Sequence, residues 1–389
     1  MTYCVGLRTD RGIFIAADSI FSSALPPLQD ATKGTKTVFG EELGDVGPYP
    51  FKYVSEDGLK LTVGQDSVTG FAGHEGIATA LINAYQQFRT SGSAARRAVR
   101  NALASVTPSE DDADVLFAFY ENGKPCLLHV NTASSSCCDV ERLIQLGSDL
   151  PEGQHRWTSQ IVENYLKLLD QLGQHPLHTE RIFSQLIAVL QSYGATEYLL
   201  QYGVGGAFVG AWITPSGARW QGDHLYVMHG ETPAMEDPSC ATIVRNDVLC
   251  LVNNQTGATK SITRIRQNES TSEAKNRSEA ASESAVDFWD RATFDYFVSI
   301  NTHKHIVTVV EMCKRQHHKI LSLHAPAIER RLGILWSDAF LQFVNSIEGV
   351  DTHDPELMSI KFLPFYEISK EEEDEREQIS WERFVDLTD

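Results

Sequence analysis

Two short apolar runs open the chain, Tyr3 to Leu7 and Ile13 to Ala17, with Thr9-Asp10-Arg11-Gly12 between them. Runs of this length, bounded by turn residues, predict two buried strands joined as a hairpin. Residues 19–58 carry Pro26, Pro27, Pro48 and Pro50 with several glycines, and read as a long irregular excursion. A second hairpin follows, LKLTV then GQDSVTGFAG. From Gly73 to Phe88 the period lengthens. Ile77, Ala80, Leu81, Ala84 and Tyr85 fall on one face of a helix, and Ala94 to Val106 repeats the signal. DVLFAFYENGKPCLLHVN returns to strands, turning at Glu121-Asn122-Gly123, and ERLIQLGSD adds another. Two more helices are expected, Trp157 to Leu172 and about Glu180 to Ser192. YGVGGAFVGAWITPSGARWQGDHLYV then reads as two strands around Pro215-Ser216-Gly217.

The predicted order is strands, two helices, strands, two helices, strands. Hairpins imply antiparallel sheets, and paired helices suggest layers outside a sheet sandwich. After about residue 231 the texture changes. Ala241 to Val252 reads as a strand or two, and the polar stretch 254–285 reads as a linker or mobile loop. Residues 286–349 are expected to be mainly helical, followed by an acidic tail in which Trp381 and Phe384 could serve as anchors. The organisation expected is a domain over 1–230, with an insertion at about 19–58, and a C-terminal extension over 231–389.

Composition narrows the function. The chain has 389 residues and a formal net charge of -19, from 52 acids and 33 bases. Neither nucleic acid nor an anionic membrane surface is an expected partner, because both select positive charge. No apolar stretch reaches the roughly 18–20 residues of a membrane-spanning helix. Arg8, Asp10 and Arg11 near the start argue against a secretory leader. Seven cysteines without regular spacing fit a reduced, cytoplasmic protein. Cys313 and His317 lie four apart, with His303 and His305 nearby, but zinc needs a clearer pair of ligand pairs. No metal and no cofactor are expected.

The opening MTYCVGLRTDRGIFIAADS resembles the proteasome β-subunit class of N-terminal nucleophile hydrolases, most of all the bacterial proteasome-like Anbu proteins. The resemblance continues through VTGFAGHEGIATAL and LGSD to YGVGGAFVG, and covers about residues 1–230. It implies an α+β fold, a four-layer αββα sandwich, whose nucleophile is the residue after the removed methionine. Thr2 would then carry both a hydroxyl and a free α-amine. An amine with an ordinary pKa of about 7.7–8.0 can act through water as general base for that hydroxyl.

The same resemblance assigns supporting roles. Asp18 matches the aspartate that pairs with a catalytic lysine. Gly73 matches the glycine whose backbone N–H forms the oxyanion hole, a donor worth about 3–4 kcal/mol. Ser148 matches the serine that hydrogen-bonds the nucleophile's amine. Two lysines compete for the remaining role: Lys60 has the right distance to Gly73, whereas Lys36 lies nearer the usual distance from Asp18. Phe71 is a candidate for shaping the substrate pocket. Cys4 lies inside the chain on a strand and is not expected to be a nucleophile. One departure stands out. Where family members have an aspartate and a serine, alignment on Gly205-Gly206 places Gln201 and Val204.

The leading expectation is a threonine-type amide hydrolase acting on peptides or proteins and assembling into a ring or other oligomer. The extension would meet a regulatory partner. The alternatives are a catalytically silent scaffold of the same fold and an acylase acting on small amides.

Overall fold

The first sheet of the computed structural model grows from the opening hairpin. The structure describes residues 3–24, 36–45, 53–106, 112–147, 176–196, 199–230, 239–253, 259–266, 269–291, 294–302, 306–311 and 319–324. It is mixed α and β, and mostly sheet. Two compact units interleave along the chain rather than lying either side of residue 230. Unit 1 is Met1–Leu150, Glu197–Asp223 and Ala241–Ala292; unit 2 is Pro151–Thr196, His224–Cys240 and Thr293–Asp389.

In unit 1, β1 (Tyr3–Thr9) and β2 (Gly12–Asp18) form the expected hairpin. Thr9 closes its turn, its Oγ1 accepting from the Arg11 and Gly12 N–H groups. The excursion after β2 carries β3 (Phe21–Ser23), β4 (Gly44–Asp45) and β5 (Tyr53–Ser55), a small sheet with β5 in the middle. The second hairpin is β6 (Leu61–Val63) and β7 (Ser67–Gly73). Two helices follow, α1 (Glu75–Thr90) and α2 (Ala95–Ser105). His74 caps α1, its Nδ1 accepting from the Ile77 N–H at 3.4 Å. Then come β8 (Ala113–Glu121), β9 (Lys124–Asn131), β10 (Ser136–Asp139) and β11 (Leu143–Gly147).

Helix α3 (Pro176–Thr196) belongs to unit 2, and a short 3-10 turn, Leu199–Tyr202, returns the chain to unit 1. There β12 (Phe208–Thr214) and β13 (Gly217–Trp220) complete the first sheet, in the order β11-β1-β2-β12-β13, all pairs antiparallel. The second sheet is an antiparallel meander, β10-β9-β8-β7-β6. β1 and β2 pack face to face on β7 and β9. Period-2 alternation decides which side chains go where. Val115, Phe117 and Phe119 of β8 join Ala78, Leu81, Ile82 and Tyr85 of α1 and Ala98, Val99 and Ala102 of α2 in one buried cluster. Unit 1 thus stacks helix layer on sheet on sheet.

Beyond these layers the chain departs from what its composition suggested. β14 (His224–His229) lies in unit 2, whereas β15 (Ser239–Arg245), β16 (Val248–Asn253) and β17 (Thr259–Thr263) run on into unit 1. The stretch expected to be a linker contains β17 and a 21-residue helix, α4 (Thr271–Arg291). Ala274, Ala281 and Ala285 are its buried stripe, small residues that a composition reading counts as linker-like. Arg277 ties this helix to Glu269 at 2.8 Å, to Thr263 Oγ1 at 2.6 Å and to the Arg264 carbonyl at 2.8 Å. Of the expected helical region 286–349, residues 286–291 lie in α4, and residues 325–349 lie outside the described residues. Its described part past α4 corrects the expectation: it is β18 (Tyr296–Asn301), β19 (Ile306–Glu311) and β20 (Lys319–His324). β18 pairs parallel with β14, and β18, β19 and β20 pair antiparallel, with α3 packed on them. FVSI and IVTVV are β-branched apolar runs that suit a buried sheet better than a helix. Trp157 to Leu172, His303, His305, Cys313, His317, Trp381 and Phe384 lie outside the described residues.

Candidate active site

Asp18 ends β2, the central and wholly buried strand of the first sheet, so its carboxylate is carried below the surface. Lys60 enters from the residue before β6, and its backbone carbonyl accepts from the Phe71 N–H at 3.2 Å. The Lys60 ammonium donates to Asp18 Oδ1, and neither side chain has any exposure. Asp18 Oδ1 also accepts the Tyr3 N–H at 2.9 Å, while Oδ2 accepts from Gly205 N at 3.1 Å and from Ile20 N at 3.4 Å. One carboxylate thus fastens the start of β1, the lysine and the Gly205 turn together. Burial pulls the Lys60 pKa down, and the Asp18 charge and hydrogen bond act against that pull.

The competing lysine is elsewhere. Lys36 pairs with Glu42 at 2.9 Å, and both side chains are more than half exposed. The structure brings Lys60, not Lys36, to Asp18. The sequence left both open because the excursion between β2 and β6 changes the spacing from Asp18.

Gly73 ends β7 at φ +90°, and a Cβ there would lie 2.7 Å from the Asp112 carbonyl oxygen. Only glycine fits, and Gly73 lies two residues beyond Phe71, which pairs with Lys60. Phe71 corrects an expectation. It has no exposure and belongs to the cluster beneath α1 and α2. The Arg264 guanidinium sits 4.9 Å from its ring centroid, and Phe21 packs beside it. Phe71 is therefore core, not the wall of an open pocket. Phe71→Ala is expected to cost about 3–5 kcal/mol, seen as a lowered Tm. Cys4 is fully buried, and burial pushes its thiol pKa upward, as suits a packing residue.

Thr2 and Ser148 lie outside the described residues. Tyr3 pairs with Gly147 across the first sheet, the last described pair at that end.

Sequence reasoning missed three acceptors around the Gly205 turn. Gly206 donates to Glu41 Oε2 at 2.8 Å, and Ala207 donates to Ser19 Oγ at 2.8 Å. Ser19 in turn donates to Glu56 Oε1 at 3.4 Å. Both glutamates belong to the excursion, where acids read as solvated loop residues, and nothing local marks them as partners of this turn. Glu56 has no exposure, and burial raises its carboxyl pKa from 4.5 to about 7, against the lowering effect of Lys260. Burial also raises Glu41 from 4.5, to about 8, against its hydrogen bonds from Gly206 and Thr37. No cluster of metal-ligating side chains occurs among the described residues, and no described helix is long and apolar enough to cross a membrane. No family model matches the chain, and no curated protein matches it.

Proposed function

We propose that the chain is a threonine-type amide hydrolase, acting on peptides, with Thr2 as nucleophile once Met1 is removed. The buried Lys60–Asp18 pair carries this reading, because Asp18 also holds the backbone N–H of Tyr3, one residue from Thr2. In this mechanism Thr2 Oγ attacks the substrate carbonyl. The Thr2 α-amine takes the hydroxyl proton, through water, and returns it to the leaving amine. The Lys60 charge lowers the cost of the developing alkoxide, and Asp18 holds Lys60 in place. The Gly73 N–H stabilises the oxyanion, and Ser148 orients the α-amine. Water then hydrolyses the acyl–threonine ester and restores Thr2.

The fold proposed is the four-layer αββα sandwich of proteasome-like N-terminal nucleophile hydrolases. The three stacked layers of unit 1 support it. Trp157 to Leu172, expected in its second helical layer, lies outside the described residues. We further propose assembly into a ring in the cytoplasm, and a regulatory partner for the C-terminal region. An acylase acting on small amides would use the same nucleophile. A silent scaffold is the second reading, favoured by one observation: Val204 is fully buried and apolar, and Gln201 is exposed, where a hydrolase of this family carries polar support.

Intact and N-terminal mass spectrometry, before and after an epoxyketone or β-lactone probe, separates these readings. Loss of Met1 and a probe adduct on Thr2 are expected. Retained Met1 with no adduct would replace the hydrolase by the scaffold.

A further inference from the structure

Three consecutive backbone N–H groups, Gly205, Gly206 and Ala207, donate to three different side chains: Asp18, Glu41 and Ser19. The turn leaves no room for anything else. At Gly205, with φ +152°, a Cβ would lie 2.7 Å from Glu41 Oε1. At Gly206, with φ +65°, it would lie 2.5 Å from Ser19 Oγ and 2.8 Å from Glu56 Oε1. Glu41 comes from a short segment, 36–45, that docks by Thr37, Val38 and Phe39, all buried. Val38 N–H donates to Glu56 Oε2 at 2.9 Å, and Asn253 Nδ2 donates to the Val38 carbonyl at 2.8 Å. Thr37 Oγ1 donates to Glu41 Oε2 at 3.0 Å. The remaining oxygen of Glu41, Oε1, is enclosed and has no hydrogen-bond partner among the described residues.

We propose that Glu41 is a positioning residue of this site: holding a proton, its carboxyl clamps the Gly205–Gly206 turn and, through that turn, Asp18. The charges around Glu41 explain why the proton matters. Asp18 faces it from the end of β2, and Glu56 faces it from the turn after β5. Lys60 neutralises Asp18. Lys260, on β17, lies 3.9 Å from Glu56 and 3.5 Å from Asp57, so it is shared between two acids. On the segment itself, Lys36 is committed to Glu42 at the surface. No described cation is left for Glu41. An ionised Glu41 would therefore bring an uncompensated negative charge beside Asp18 and Glu56, with Oε1 enclosed and unpartnered among the described residues.

Because the folded pKa is raised, the proton-bound clamp contributes its stability fully below the unfolded pKa of 4.5. That contribution is lost as pH rises through about 8 for Glu41, and through about 7 for Glu56. The 36–45 segment and the Gly205 turn should loosen on the alkaline side, the reverse of ordinary acid denaturation.

The role of Glu41 in catalysis rests on the proposed hydrolase function, but the clamp is measurable without it. The experiment is hydrogen exchange by mass spectrometry on the full chain between pH 6 and 9, read on peptides covering 36–45 and 203–207. Rates are divided by the intrinsic chemical rate at each pH. Wild-type protection is expected to fall about tenfold or more across this range. Glu41→Gln keeps an oxygen to accept from Gly206 and never ionises, so it should flatten most of that fall. Glu41→Gln/Glu56→Gln should remove it. Flat protection in the wild type, or an unchanged fall in Glu41→Gln, would overturn the proposal. If probe labelling of Thr2 occurs, its rate should lose an alkaline limb in Glu41→Gln that the wild type shows. An identical labelling profile in both proteins would overturn the positioning role. Absence of labelling in the wild type would count against the hydrolase and leave the exchange result to decide the clamp.

Discussion

Lys60→Met is expected to destabilise unit 1 by about 3–5 kcal/mol, the cost of leaving one member of a buried ion pair alone. The Asp18 carboxylate would keep its amide donors from Tyr3, Gly205 and Ile20 but lose the only charge that compensates it among the described residues. Lys60→Arg should also fail, because a planar guanidinium does not fit a site with no exposure. Lys60→Met combined with Asp18→Asn should recover part of the loss. Asparagine is neutral, but its one carbonyl oxygen can accept from only one side, leaving either the Tyr3 N–H or the Gly205 and Ile20 N–H groups facing an NH2. The two substitutions should still be non-additive, because the double variant leaves no buried charge unpaired. Chemical denaturation of the wild type, Lys60→Met, Asp18→Asn and the double variant measures this. A loss under about 1 kcal/mol for Lys60→Met is the range of exposed pairs, and would overturn the buried pairing.

Thr2→Ala should reduce amide hydrolysis by about 10³-fold or more, as removal of a nucleophile does, with Tm unchanged. Thr2→Ser keeps both the hydroxyl and the α-amine and should retain measurable turnover, since the two groups that carry the chemistry are the same. The comparison is made on steady-state hydrolysis of a fluorogenic peptide together with thermal unfolding. If Thr2→Ala retains wild-type hydrolysis, the activity lies elsewhere in the chain. If the wild type itself hydrolyses nothing and Lys60→Met still destabilises, the ion pair is structural and the scaffold reading stands.

Much of unit 1 was legible along the chain. The hairpins at β1–β2, β6–β7 and β8–β9, and the helices α1 and α2, follow from period and turn chemistry, which are local properties. Asp18 and Gly73 were singled out by resemblance to a known family rather than by local pattern, and the structure places them at the ends of β2 and β7. The polar stretch around α4 misled because its buried stripe is made of alanines and its anchor is an arginine network, neither of which raises local hydrophobicity. The strands after 294 were misread because a run of apolar residues suits a helix or a strand until its neighbours are known.

What the sequence by itself determined is the alternation that makes the two sheets, the glycine at position 73 and the acid at the end of β2. Only the tertiary structure decided that Lys60 rather than Lys36 meets Asp18, that Phe71 is core, that Glu56 is buried and that Glu41 packs against the Gly205 turn. The physical reason is the same in each case. Burial and ion pairing depend on which distant segments close over a residue, as when residues 41 and 206 meet, and spacing along the chain does not encode that closure.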